Sequence, residues 1–390
     1  MNLKVAVPII GGEKWGGGVT YLEYLARSNS LLPKDKKLEL YLIVRPQQLS
    51  DFTLHKSFLN YFKGIVFVGS KSNEVVSLLG DAVTYCESYD ELATITDVYF
   101  PVNSNVLPHR CSISWIPDFQ HKYLSGFFTK EEVEYRDSKF KEVADQARMI
   151  VFSSESAKKD FLKFYSNSEA ITEVLKFYLL PNDEWYSHNP DDVLQKYGLT
   201  SNFVLCSNQF WAHKNHQVLF QAIKALKNKG IEVNLVCTGA TRDYRNDEYF
   251  SDLIKQIDED KLTENIKILG FIPREDQIQL IRRSKFVIQP SLFEGWSTIV
   301  EDCRVLGKTI LMSDIDVHVE QAPRYGFYFN KDDAVNLASQ IHFLLDLEED
   351  AEQMKNKENK AKTEAFENVK KYAEKLYSLI YIAVVDFNKK

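Results

Sequence analysis

Short apolar runs alternate with amphipathic helical patterns along all 390 residues of the chain. This alternation predicts parallel strands, because parallel strands need helical crossovers that cover both faces of their sheet. We therefore predict an α/β fold. The predicted strands of the first half are Val5–Ile10, Glu39–Val44, Gly64–Val68, Asp97–Phe100, Cys111–Ile116 and Met149–Phe152, and those of the second half are Phe203–Cys206, Val233–Thr238, Ile266–Leu269, Phe286–Gln289, Thr309–Met312 and Gly326–Phe329.

The chain is long enough for two domains, each with its own core. Segment 181–202 is rich in Pro, Asn, Asp and Ser and separates the two series of strands. We predict an N-terminal domain of residues 1–185, a second domain of residues 186–370 and a final helix of residues 371–390. Ligands of open α/β sheets bind beyond the carboxyl ends of the strands, so two such domains facing each other would enclose a cleft.

The composition is typical of a soluble protein, with 44% hydrophobic and 26% charged residues. The net charge of −7 argues against a nucleic-acid partner. The five cysteines form no C-x-x-C pair, which is typical of a reducing compartment. The N-terminus begins with a strand pattern and no window is long enough for a membrane span. We expect a cytoplasmic protein, and peripheral contact with the inner face of the membrane stays open.

The stretch KFVIQPSLFEGWSTIVEDCRVLGK, residues 285–308, predicts a strand, a loop and a helix start. The helix start near Ser297 and Thr298 offers unpaired N–H groups and the positive end of a dipole, which suit a phosphate. Glu294 and Gly295 precede it, and the Glu294 carboxylate is suited to accepting hydrogen bonds from hydroxyls. A phosphate and hydroxyls together indicate a sugar nucleotide. The alternative is an ordinary strand-to-helix connection.

The next two acids differ in their helical positions. Asp302 flanks the apolar face that contains Ile299 and Leu306, whereas Glu301 lies on the opposite, wetter face. Glu301 also completes a Thr298-x-x-Glu301 capping box, which gives it a structural role. Glu294 and Asp302 are therefore the functional candidates.

FEGWSTIVEDCRVLGK, followed by ILMSDIDVHVEQ, resembles the donor site of family 4 retaining glycosyltransferases, which have the GT-B fold. The family signature is two acids separated by seven residues, usually both Glu; here they are Glu294 and Asp302. The resemblance implies two Rossmann-like, doubly wound parallel-sheet domains facing a cleft. It also implies that Glu294 binds hydroxyls of the donor sugar and Asp302 binds the nucleotide ribose.

SNQFWAHKNHQVLF, residues 207–220, resembles the lysine motif of the same family. Lys214 would act as a point charge on the donor diphosphate; on its own, such a lysine is usually a solvated charge. Gln209 stands where the family usually has an arginine. We predict that Gln209 also lines the donor site, where its amide brings no charge. Asn208 and His213 stay unassigned. Gly239 follows the next strand and is also predicted to line the donor site.

Two motifs of the first half resemble further family elements. IIGGEKWGGGVTYLEYLA, residues 9–26, is similar to the N-terminal glycine loop, and Gly17 and Gly18 match best as donor-side residues. In WIPDFQHKYL, residues 115–124, Pro117 and Asp118 occupy the positions where family members often have a His-Asp pair. Asp118 is a catalytic candidate. His121 either takes an acceptor-side role or forms a hydrogen bond within its loop.

SDIDVH, residues 313–318, contains a D-x-D pattern that other glycosyltransferases use to hold a metal. It lies late in the second domain, so we interpret its aspartates as caps of a turn and predict no metal and no cofactor.

The predicted function is a retaining hexosyltransferase that uses a nucleoside diphosphate sugar, with Glu294, Lys214, Asp118 and His121 as catalytic candidates. The acceptor would be a glycan or a lipid-linked glycan in polysaccharide or glycoconjugate assembly. Two alternatives remain, a GT-B-like epimerase or phosphorylase and a non-catalytic protein that binds sugar nucleotides.

Overall fold

The computed structural model describes residues 2–12, 16–80, 82–102, 106–107 and 109–389. Within them the chain divides into two compact units. The first contains residues 1–118, 134–180 and 367–390, and the second contains residues 119–133 and 181–366. The domain extents of 1–185, 186–370 and 371–390 stay predictions.

The first unit is built on eight parallel strands in the order β4-β3-β2-β1-β5-β6-β7-β8. The strands are β1 Lys4–Pro8, β2 Glu39–Val44, β3 Gly64–Val68, β4 Thr84–Cys86, β5 Val98–Val102, β6 Ser112–Ile116, β7 Met149–Phe152 and β8 Ile171–Val174. β4 and β8, at the two edges of the sheet, have no counterpart among the predicted strands.

The second unit is built on six parallel strands in the order β11-β10-β9-β12-β13-β14. The strands are β9 Val204–Ser207, β10 Leu235–Thr238, β11 Ile266–Ile268, β12 Val287–Gln289, β13 Ile310–Ser313 and β14 Gly326–Phe329. Counted from β9, this is the doubly wound order 3-2-1-4-5-6, whose direction of progression reverses between β9 and β12. The predicted α/β class with two parallel-sheet domains is confirmed.

Helices connect the strands in both units. They are α1 Gly16–Asn29, α2 Asn73–Leu79, α3 Tyr89–Ile95, α4 Gln120–Tyr123, α5 Lys130–Gln146, α6 Glu155–Phe164, α7 Asp183–Ser187, α8 Pro190–Tyr197, α9 His216–Asn228, α10 Tyr249–Glu259, α11 Arg274–Arg283, α12 Thr298–Leu306, α13 Asp316–Gln321, α14 Ala334–Leu345 and α15 Ala351–Asn388. Within the described ranges, none of these helices combines the length and the apolarity that crossing a bilayer requires.

One core of the second unit lies between its sheet and helices α9 and α14. Val204 and Leu235 of the sheet pack with Phe220 of α9 and Ile341 of α14, and all four side chains are buried. Burial of such side chains contributes roughly 1.5–3 kcal/mol each, which fixes the strands whose carboxyl ends carry the loops described next.

Gly239, directly after β10, has a φ of 135°. A Cβ at this position would lie 2.0 Å from the carbonyl oxygen of Asn208, which is backbone and cannot move aside. The glycine therefore lets the β9 and β10 loops approach each other closely.

We expect Gly239→Ala to lower the free energy of unfolding by more than about 2 kcal/mol, because strain and overlap add together. Gly126→Ala is the matched control, since a Cβ there meets nothing within 4 Å. Urea denaturation of both variants measures the difference; equal stabilities would show that the loops relax freely.

Candidate functional site

The loops that follow β9 and β12 lie side by side. These strands are neighbours in the sheet, at the position where the strand order reverses. A backbone hydrogen bond of 2.8 Å from the N–H of Leu292 to the carbonyl of His213 joins the two loops. Crevices at such a position are the usual ligand sites of open α/β sheets. The first loop ends at Lys214, and the second contains Glu294.

Lys214 and Glu294 form an ion pair with Nζ 2.6 Å from Oε1. The side chains are only 16% and 9% exposed. Burial alone would raise the pKa of Glu294, but the Lys214 charge, with hydrogen bonds from Lys214 and Ser291, holds that pKa below its usual range. Glu294 is therefore a carboxylate near neutral pH, with its counter-charge already in place.

Gln289, the last residue of β12, supports this carboxylate from inside the sheet. Its amide nitrogen lies 2.9 Å from Glu294 Oε1, 3.1 Å from Ser291 Oγ and 3.0 Å from Ser297 Oγ. Its amide oxygen accepts a hydrogen bond of 2.5 Å from Asn208 Nδ2. Two N–H groups serve three acceptors, so at most two are satisfied at once. The sequence signal for Gln289 is a polar residue that ends an otherwise apolar strand.

The turn that presents Lys214 is held by Asp243 and Arg245 from the loop after β10. Asp243 accepts a hydrogen bond of 3.1 Å from the Ala212 N–H, and Arg245 binds Asp243 at 3.0 Å. Arg245 also lies 3.2 Å from Nδ1 of His213. Burial, followed by the charges of Lys214 and Arg245, holds the pKa of His213 well below its usual range, so its Nδ1 accepts this bond. Sequence reasoning did not assign Asp243 or Arg245.

Helix α12 begins differently from the prediction. Ser297 is the N-cap residue, and its side chain makes no capping bond. Its N–H donates to Gln321 Oε1 at 3.2 Å. Thr298 is the exposed first helical residue, so the predicted Thr298-x-x-Glu301 capping box is wrong: a threonine caps only from the position before the helix.

The predicted wet environment of Glu301 is also wrong. Glu301 is fully buried and bonds to Arg304 at 3.0 Å and to the Gln321 amide at 2.9 Å. Burial raises its pKa despite the Arg304 charge. Gln321 is the last residue of α13, and no pattern within α12 predicts its contact with Glu301.

Asp302 is buried and bound by Arg274, the first residue of α11. The guanidinium engages both carboxylate oxygens, with Nη1 2.7 Å from Oδ2 and Nη2 on Oδ1. Both oxygens of the second signature acid are thus already hydrogen-bonded to a cation. The contact of Asp302 with a ribose stays a prediction.

The remaining predicted residues are distributed over both units. Gly295 and Gln209 are half-buried in the two loops of the second unit. His121 is fully buried in α4, also in the second unit. Gly17, Gly18 and Asp118 belong to the first unit, and residues 13–15 of the glycine loop lie outside the described residues.

The D-x-D pattern forms a turn and a helix start. Asp314 Oδ1 accepts a hydrogen bond of 3.1 Å from the Lys331 N–H, and Asp316 opens α13. His318 is buried, with Nδ1 2.9 Å from the Ser313 carbonyl. In the part of the chain that the structure describes, no three His, Cys, Asp or Glu residues are grouped to hold a metal ion.

Residues 193–361 match the family model of Glycosyl transferases group 1. This match covers less than half of the chain. O-antigen chain mannosyltransferase B of Escherichia coli is 22% identical over 253 residues, a match that spans 63% of this chain and 64% of that protein.

Solved structures establish the GT-B fold. Anabaena Alr3699/HepE, crystallised with UDP and glucose, superposes with a TM-score of 0.68 at 15% identity, over 97% of this chain and all of that one. WaaG, a glycosyltransferase involved in lipopolysaccharide biosynthesis, gives a TM-score of 0.56 at 11% identity, over 98% of each chain.

Burial lowers the pKa of His318 to about 4, although the Glu294 charge favours its protonation. Between about pH 6.5 and pH 4 the unfolded state therefore binds a proton that the folded state does not. We expect the free energy of unfolding to fall by up to about 3 kcal/mol as the pH drops through this window.

His318→Asn keeps a donor near the Ser313 carbonyl and should flatten this decline in urea titrations between pH 4 and pH 7. His342→Asn, at an exposed position, controls for the loss of one histidine. An unchanged pH profile in His318→Asn would refute the assignment.

Proposed function

We propose that the protein is a retaining glycosyltransferase of family 4 that moves a hexosyl group from a nucleoside diphosphate sugar to an acceptor hydroxyl. The observation that carries this proposal is the Lys214–Glu294 ion pair, positioned where the strand order of the second sheet reverses. The match to the family model of Glycosyl transferases group 1 and the similarity to the mannosyltransferase support it.

The two members of the ion pair take different parts of the donor. The Lys214 ammonium neutralises the diphosphate, and the Glu294 carboxylate accepts hydrogen bonds from hexose hydroxyls. The start of α12 contributes N–H groups, such as that of the exposed Thr298, and the positive end of its dipole. Before the donor binds, the two side chains satisfy each other, so neither is left as an unpaired buried charge.

In this mechanism the acceptor attacks from the same face that the diphosphate leaves. The bond between the anomeric carbon and the diphosphate oxygen breaks, the bond to the acceptor oxygen forms, and the hydroxyl proton moves to the leaving phosphate. Lys214 and the α12 start stabilise the negative charge that develops on the diphosphate. Glu294 acts as a hydrogen-bond acceptor, which agrees with its contacts to Lys214 and Gln289.

We place the acceptor, a glycan or lipid-linked glycan, with the first unit, which contains Gly17, Gly18 and Asp118. Polysaccharide assembly at the cytoplasmic face of the membrane is the proposed setting, supported by the O-antigen relative. Gln209 brings no charge where the family usually has arginine, and this favours a second candidate, a non-catalytic protein that binds the same donors. Sugar transfer or hydrolysis over a panel of UDP-, GDP- and dTDP-sugars separates the two functions.

Lys214→Met should weaken nucleoside diphosphate binding by about 10- to 100-fold, because a charge-assisted contact is lost. Glu294→Gln should leave diphosphate affinity within a few-fold and remove most of the extra affinity that the sugar provides. Isothermal calorimetry with UDP, GDP and their hexose derivatives measures both effects.

The control is Lys255→Met, which removes the lysine of an exposed pair with Glu259 in α10. Each single substitution leaves the other charge without its partner, which can destabilise the fold. The double variant Lys214→Met/Glu294→Gln removes both charges and is measured for this reason. Wild-type affinity in Lys214→Met would refute the diphosphate role.

A further inference from the structure

Segment 119–133 groups with the second unit, although strands of the first sheet precede and follow it in the sequence. Phe119 and His121 near its start are fully buried. Further along, Phe128 lies under the guanidinium of Arg245, 5.4 Å from the ring centroid. Because Arg245 also holds the Lys214 turn through Asp243 and His213, the segment is anchored to one of the two loops of the candidate site.

Tyr123, at the end of α4, contacts the other loop. Its ring stacks on that of Phe293, with centroids 5.8 Å apart and planes inclined by 27°. Phe293 is half-buried and directly precedes Glu294 in the chain. Tyr123 is 46% exposed, whereas Phe119 and His121 earlier in the segment are fully buried.

An aromatic surface beside a carboxylate suits one ligand class in particular. A pyranose ring has a face of C–H groups that packs on aromatic rings and a rim of hydroxyls that donate to a carboxylate. The Cα atoms of Phe293 and Glu294 lie about 3.8 Å apart, a separation that one pyranose ring can span. A single exposed tyrosine is common on a protein surface and needs no functional explanation. A stacked pair of aromatic rings next to a shielded ion pair does need one.

We propose that Tyr123 and Phe293 form a stacking platform for a pyranose ring at the Glu294 carboxylate. This inference rests on the proposed function and deepens it by assigning residues that recognise the sugar. The ring belongs either to the hexose of the donor or to the sugar of the acceptor, and the two sources share the same chemistry.

The test compares Tyr123→Ala, which removes the ring, with Tyr123→Phe, which retains it. Tyr135→Ala is the matched control, because Tyr135 is 59% exposed and lies in α5 within the first unit. Calorimetry gives the ratio of dissociation constants for UDP against UDP-glucose and for GDP against GDP-mannose. Methyl glucoside and methyl mannoside, titrated into the protein saturated with the diphosphate, serve as probes of the acceptor side.

In Tyr123→Ala we expect a loss of about 3- to 10-fold in one of two quantities. One is the affinity that the donor sugar adds to that of the diphosphate alone, and the other is the affinity for the methyl glycosides. The arm that changes identifies the source of the ring. Tyr123→Phe and Tyr135→Ala should match the wild type.

If Tyr123→Ala keeps the wild-type values in both arms while the wild type binds the diphosphates, the platform alone is refuted. A wild-type protein that binds neither diphosphate overturns the proposed function and the platform with it.

Discussion

The candidate site depends on one interaction, the shielded ion pair between Lys214 and Glu294. Removing one partner of such a pair typically costs about 3–5 kcal/mol, because the other charge is left without compensation. The pair also joins two loops that are eighty residues apart in sequence and meet only because β9 and β12 are neighbours. A ligand that offers a negative group to the lysine and donors to the carboxylate can separate the pair without leaving either charge unsatisfied.

The surrounding polar side chains fix both partners before any ligand arrives. Gln289 supports Glu294 from β12, and Asp243 holds the turn that ends at Lys214. Arg245 connects that turn to Phe128, so the same scaffold also supports segment 119–133. Preorganised charges of this kind stabilise developing charge without reorganising during the reaction, which is the usual source of catalytic power in transfer reactions.

Much of the fold was predictable from the sequence, because interior parallel strands are continuous apolar runs. Glu39–Val44 and Met149–Phe152, for example, match their predicted bounds. The edge strands β4 and β8 were missed since edge positions need no such run: β4 has three residues, and β8 contains Thr and Glu. The burial of Glu301 and the pairing of Asp302 with Arg274 arise from contacts with other helices. The periodicity of the α12 sequence does not predict such contacts. Asp243 and Arg245 lie in a loop whose sequence has no distinctive pattern.

The most direct test of the central claim is a double-mutant cycle on the free energy of unfolding, using wild type, Lys214→Met, Glu294→Gln and the double variant without ligand. The ion pair predicts a favourable coupling energy of about 1–3 kcal/mol, so the double variant should be destabilised by that much less than the sum of the two single variants. Effects that add to within about 0.3 kcal/mol would show that the two side chains do not stabilise each other, and would contradict the account of the site given above.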